Sequence, residues 1–167
     1  MAQPALREKI FKDTMPLKKV MAWALTEPET GSDASNIRTT AKKVEGGYLL
    51  TGRKRWIGNA TFADYIACWA RNEADGGKVQ CFLVRKGSKG LKTGKIERKM
   101  ALRAVQNAHI EMNDVFVPDN ERFELAKDFA SGTKDVLKHS RIFVAWEAAG
   151  IAAGACEAAM KYCKERI

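Results

Sequence analysis

A turn signal interrupts residues 20–118 about every ten positions, and that spacing constrains the chain more than any other feature. Gly46-Gly47, Gly52, Gly58-Asn59, Asp75-Gly76-Gly77 and the segment 87–90 leave apolar and β-branched runs too short for stable helices. Strands are expected over 20–25, 36–44, 48–51, 53–57, 64–71, 79–84, 91–96, 107–112 and 115–117. The run Tyr65-Ile-Ala-Cys-Trp-Ala70 is nearly continuously apolar, the mark of a strand covered on both faces. Short strands at this spacing indicate an antiparallel β-barrel or sandwich.

The flanks read differently. Residues 5–13 form a short helix with Leu6, Ile10 and Phe11 on one face, stopping before Pro16. Residues 133–166 contain no proline and are rich in Ala, Lys and Glu, so they read as one long helix. Its apolar positions, Val136, Leu137, Ile142, Phe143, Trp146, Ile151 and Met160 among them, cover much of the circumference. A helix of that kind needs several partner helices, and no other segment can supply them. The expected class is α+β: a β domain over 20–125, preceded by a helical tail over 1–19. A long helix over 130–167 follows, belonging to an incomplete helical bundle.

Twenty-nine basic against twenty acidic residues give +9, which favours anionic partners. The basic groups Lys18-Lys19, Lys42-Lys43, Arg53-Lys54-Arg55 and 95–103 are scattered between strands, with no zinc-finger spacing or basic-region helix. Nucleic acid is therefore not an expected partner, although a non-enzymatic basic β module binding polyanions stays open. Cys68, Cys81, Cys156 and Cys163 form no C-x-x-C pair and read as free thiols. No stretch of 18 apolar residues is seen, so no membrane span is expected.

The stretch Ala22-Trp-Ala-Leu-Thr-Glu-Pro-Glu-Thr-Gly-Ser-Asp33 runs from a strand into a Pro/Gly turn carrying hydroxyls and carboxylates. Such a loop can cradle a polar ligand. Glu27 and Asp33 are expected to satisfy turn amides rather than hold a metal, because no histidine or further carboxylate follows at ligand spacing. His109 and His139 fall in a strand and a helix with no nucleophile nearby in sequence. Neither G-x-G-x-x-G nor a Walker sequence is present. No metal site is expected.

Ala24-Leu-Thr-Glu-Pro-x-x-Gly-Ser-Asp33 resembles the hallmark loop of the acyl-CoA dehydrogenase and oxidase superfamily. The likeness continues through Gly52-Arg-Lys-Arg-Trp-Ile-Gly-Asn59, Gly90-Leu91, Leu102-Arg103, Asn113-Asp-Val-Phe-Val-Pro118 and Ser140-Arg141. Within the superfamily it is similar to the plant-type peroxisomal short-chain acyl-CoA oxidases, with glutaryl-CoA dehydrogenases as neighbours. The resemblance implies FAD as cofactor, an acyl-CoA substrate and α,β-desaturation. It also implies a homo-oligomeric parent, a dimer or tetramer, in the peroxisome or alternatively the mitochondrial matrix. Trp23, Leu25, Thr26, Gly31, Ser32, Trp56, Ile57 and Gly58 would hold the flavin. Ser32, Lys138, His139, Ser140 and Arg141 would approach the substrate.

Gly58 departs from the threonine whose hydroxyl meets the flavin in many dehydrogenases, and resembles the short-chain oxidases. Thr30 and Asn36 replace residues that are usually small. On the same resemblance no catalytic residue is expected here. The glutamate base belongs to a bundle beyond Ile167, so the chain is expected to be a piece without turnover of its own.

Overall fold

The computed structural model describes residues 1–166, apart from the side chain of Asp135. Two compact units divide the chain, Met1–Gly132 and the remainder from Thr133.

In the first unit a helix α1 (Pro4–Thr14) is followed by seven strands: β1 (Met21–Ala24), β2 (Thr40–Val44), β3 (Gly47–Gly58), β4 (Tyr65–Asn72), β5 (Lys78–Arg85), β6 (Leu91–Lys95) and β7 (Asn107–Pro118). They form one sheet in the order β1-β4-β2-β3-β7-β6, with β5 on the other edge of β4. β4 pairs along its whole length with antiparallel β5. Its opposite edge is shared in parallel, with β1 at residues 65–68 and β2 at Arg71 and Asn72. The remaining pairings are antiparallel. The sheet is therefore mixed, because one strand edge serves two short neighbours arriving from the same direction.

The sheet curls so that β5 faces β3 and β7. Phe82 meets Tyr48 edge-on at 5.0 Å, and Cys68 Sγ lies 3.6 Å from Met112 Sδ. Alternate residues of β3, β4, β5 and β7, including Leu50, Ile66, Val84, Ile110 and Val115, fill the enclosed core. The other faces of β4 and β5 carry Ala67, Trp69, Cys81 and Leu83 into a second core against Leu6 and Ile10 of α1. β4 is thus covered on both sides, as its unbroken apolar run requires. Phe11, expected on the packed face of α1, is instead exposed. α1 is locked at its end by Asp13, Lys19 and Tyr65, whose polar atoms lie 2.6–2.9 Å apart.

Two expected breaks are absent. Residues 48–51 and 53–57 are one strand, and so are 107–112 and 115–117. The turn residues that suggested breaks are irregularities inside pairing strands. Between Gly52 and Leu50, β7 spends three steps, from Met112 to Val115, against two on β3. Between Lys54 and Ile57, β3 spends three steps against two on β7, from Ile110 to Ala108. Gly52 also runs close beside the chain: a Cβ there would lie 2.5 Å from Thr39 Oγ1. The 36–44 run begins as a one-turn helix (Ala34–Asn36), and pairing starts only at Thr40.

The long helix α2 (Phe129–Glu165) starts one residue before the expected 130–167 segment and four before the proline-free run at 133, with a serine–aspartate bracket at its first turn. Ser131 N donates to Asp128 Oδ1 at 2.7 Å. From residue 134 to 166 nearly all described side chains are exposed, Phe143 and Trp146 at 72% and 75%. By length and composition alone α2 meets the criterion for a membrane-crossing helix, although no run of 18 consecutive apolar residues is present. A bundle helix of a water-soluble protein meets the same criterion.

Candidate functional site

The candidate site is built where the exit from β1 runs beside the middle of β3. Inward positions on β3 recur every second residue, Tyr48, Leu50, Gly52 and Lys54. Lys54 therefore enters the interior, where its side chain is fully covered. Its ammonium donates to Glu27 Oε1 at 2.9 Å and to Leu25 O at 3.1 Å. Glu27, equally buried, accepts further from Arg38 N at 2.5 Å, Thr39 N at 2.9 Å and Thr39 Oγ1 at 2.5 Å. Burial by itself would raise the Glu27 pKa, but Lys54 and these donors outweigh it and hold the carboxyl below its ordinary value.

Further ties lace the two segments together. Arg55 N donates to Thr26 O at 2.9 Å, and Arg53 Nη2 meets Glu29 Oε1 at 2.6 Å. Glu27 N donates to Thr30 O at 3.0 Å, which closes the Pro28 turn. The structure thus brings residues 23–32 and 53–58 alongside each other, although about thirty residues separate them. Asp33 accepts from Ser35 Oγ and Asn36 Nδ2, so it organises side chains of the next turn and not the amides expected for it.

The extra residue in β3 decides where Trp56 goes. A bulge re-aims one side chain and restores the alternation after it. Trp56 takes φ +65° and turns outward, 48% exposed, with the Arg55 guanidinium 5.2 Å from its ring. Its carbonyl accepts from Asn107 Nδ2 at 3.1 Å. Asn107 Oδ1 in turn accepts from Lys99 Nζ at 2.6 Å. Ile57, next along, returns to the enclosed core, so its side chain cannot lie beside that of Trp56.

The other singled-out residues fall as follows. Trp23 is half-buried against Trp69 at 5.2 Å, and Leu25 is buried in the second core. Thr26 is half-buried, Gly31 and Ser32 are exposed, and Gly58 lies on the rim after Trp56. Nothing lies within 4 Å of where a Cβ would project from Gly31 or Gly58. Lys138, His139, Ser140 and Arg141 sit in consecutive exposed positions of α2, in the second unit. Ser140 Oγ donates to Leu137 O at 3.1 Å. Cys68 and Cys81 are buried thiols; burial pushes Cys68 up to about 11 and Cys81 well above its usual value. Neither can serve as a nucleophile at neutral pH. No group of three metal-ligating side chains exists among the described residues.

Lys54, Asn107 and Lys99 belong to the site without any motif in the sequence that marks them as site residues. Lys54 was hidden in a basic triplet, although its parity with Tyr48 and Leu50 marked it as inward. Asn107 and Lys99 had no local signal, because both act through a loop closure.

A model of the acyl-CoA dehydrogenase middle domain matches residues 22–115, so the chain belongs to the acyl-CoA dehydrogenase family. It is 36% identical over 162 residues to benzylmalonyl-CoA dehydrogenase of Aromatoleum aromaticum, covering 95% of this chain and 42% of that protein. It is 40% identical over 162 residues to subunit CarC of the caffeyl-CoA reductase-Etf complex of Acetobacterium woodii, with the same coverage. Glutaryl-CoA dehydrogenase from Mycobacterium smegmatis superimposes with a TM-score of 0.90 at 28% identity, over 99% of this chain and 42% of that one. A glutaryl-CoA dehydrogenase from Mycobacterium smegmatis in complex with FADH2 matches with a TM-score of 0.73 at 25% identity, over 78% of this chain and 33% of that one. The chain spans under half the length of these relatives. The family's cofactor is FAD. These relatives are bacterial dehydrogenases and a reductase subunit, so they do not reproduce the expected likeness to plant oxidases.

Proposed function

We propose that this chain supplies the flavin-supporting wall of an FAD-dependent dehydrogenase that desaturates an acyl-CoA between its α and β carbons. The observation that carries the reading is the lacing of the Thr26 loop to the Trp56 bulge by Arg55, Lys54 and Glu27. The residues present fit a flat, hydrogen-bonding cofactor. Trp56 offers an exposed aromatic face, Gly31 and Gly58 leave open space for close approach, and Thr26 brings a half-buried hydroxyl. Thr26, Gly31, Ser32 and Trp56 would hold the flavin, with Trp23 supporting the strand beneath. Ile57 and Leu25 would contribute through their backbone, their side chains being committed to cores. Bound FAD supplies the acceptor for the hydride that leaves the β carbon. The chain's own task is to position, and the buried ion pair keeps the loop from collapsing where a ligand must enter.

Lys138, His139, Ser140 and Arg141 are the proposed substrate-facing group, with Arg141 suited to phosphate or carbonyl oxygens. An electron-transfer flavoprotein is the proposed acceptor, in keeping with the complex to which CarC belongs. A second reading, oxygen as acceptor in a short-chain oxidase, rests on Gly58, which provides no hydroxyl at the rim.

Titrating the purified chain with FAD and separately with duplex DNA, while following tryptophan fluorescence, tests the reading. Quenching by FAD that is lost in Trp56→Leu is the expected result. Quenching by DNA and not by FAD would replace it with a basic polyanion-binding module.

A further inference from the structure

The loop from β6 to β7 carries a feature the flavin reading does not use. Its base is closed by Ile96 N donating to Asn107 O at 2.8 Å. Lys99 Nζ ties its interior, donating to Leu102 O at 2.7 Å, Val105 O at 2.6 Å and Asn107 Oδ1 at 2.6 Å. Arg98 and Leu102 hold left-handed backbone, at φ 56° and 49°. A connection braced in this way presents its side chains in a set arrangement.

Three of the loop's eleven side chains, Arg98, Lys99 and Arg103, are cations, and none of the three has a carboxylate partner among the described residues. The three oxygens around Lys99 satisfy its donors but leave its charge uncancelled. Arg98 and Arg103 make no hydrogen bond or ion pair among the described residues. Among the described residues Lys95 reaches only Glu97, at 3.5 Å and in solvent. Lys95, Arg98, Lys99, Arg103, Glu97 and the buried Ile96 line a depression of about 140 Å³, with four cations against one carboxylate. Elsewhere in the chain many basic groups are spent: Lys19 on Asp13, Lys43 on Asp119, Arg53 on Glu29 and Lys54 on Glu27.

We propose that this depression is a binding site for a phosphate group. Two guanidinium forks suit a tetrahedral dianion with several equivalent oxygens, and the tethered Lys99 adds a fixed positive charge. The site stands independently of where a flavin binds.

Amide NMR on the full chain at low ionic strength tests it, with inorganic phosphate, coenzyme A and dephospho-coenzyme A as separate probes. Saturable shifts are expected at residues 96–106, with affinity weakened about tenfold in Arg98→Ala/Arg103→Ala. Arg98→Lys/Arg103→Lys, which keeps the charge and the loop but loses the forks, is expected to fall between. The control Lys42→Ala/Lys89→Ala removes equal charge elsewhere and is expected to change affinity less than about twofold. Coenzyme A binding more tightly than both other probes would assign the group to its ribose phosphate, and equal binding of inorganic phosphate to a free anion. Either upholds the site. Absence of saturable shifts in the loop, or equal weakening by the control pair, overturns it.

Discussion

Replacing Lys54 by Met tests the organising contact directly. The Lys54 and Glu27 side chains are 0% and 2% exposed, so water cannot take over when one partner is lost. Breaking a buried pair from one side costs about 3–5 kcal/mol. Glu27 keeps its bonds from Thr39 and Arg38, which places the expected loss near the lower end, about 3 kcal/mol at pH 7. The pH dependence carries a sign. In the native chain the Glu27 pKa lies below 4.5, so its contribution is full above that value and is lost as pH falls through the folded pKa. In Lys54→Met the upward push of burial loses its main opponent and the carboxyl pKa rises. Protonation then relieves the variant, and the stability gap should narrow from pH 7 to pH 4. Glu27→Gln/Lys54→Met should be less damaged than the single variant at pH 7, since no charge is stranded. Urea unfolding followed through Trp23, Trp56 and Trp69 measures all three. A loss below about 1 kcal/mol, the scale of an exposed pair, or a gap unchanged with pH would refute the reasoning.

Gly52→Ala should destabilise by about 1–3 kcal/mol in the same assay, because the new methyl meets Thr39 Oγ1 at 2.5 Å and its Cα at 2.7 Å. Since Thr39 supplies two of Glu27's bonds, FAD quenching should weaken with it, and an undamaged variant would remove Thr39 from the account. With a thiol reagent at pH 8, Cys156 and Cys163 should react promptly, and Cys68 and Cys81 only as the β domain unfolds. Four thiols reacting at one rate would contradict the burial of β4 and β5.

What could be read without coordinates was whatever depends on local chemistry. The turn spacing announced the β domain, the apolar run of 65–70 announced a strand covered twice, and the proline-free 133–166 announced α2. The loop motif pointed to the family that the match over residues 22–115 then established. Even the inward parity of Lys54 was present in the spacing, though masked by two neighbouring arginines.

Register was not readable, and register places the site. Glycine and asparagine look alike in sequence whether they end a strand or lie in a bulge, so two continuous strands were each divided into two. One extra residue in β3 turns Trp56 outward and Ile57 inward, separating two side chains that adjacent numbers had joined. Lys54 finds Glu27, and Arg55 finds Thr26, only because the curled sheet carries β3 past the exit of β1. Strand identity follows from short-range preferences. A buried charge and its partner are specified by long-range pairing, which no window of sequence contains.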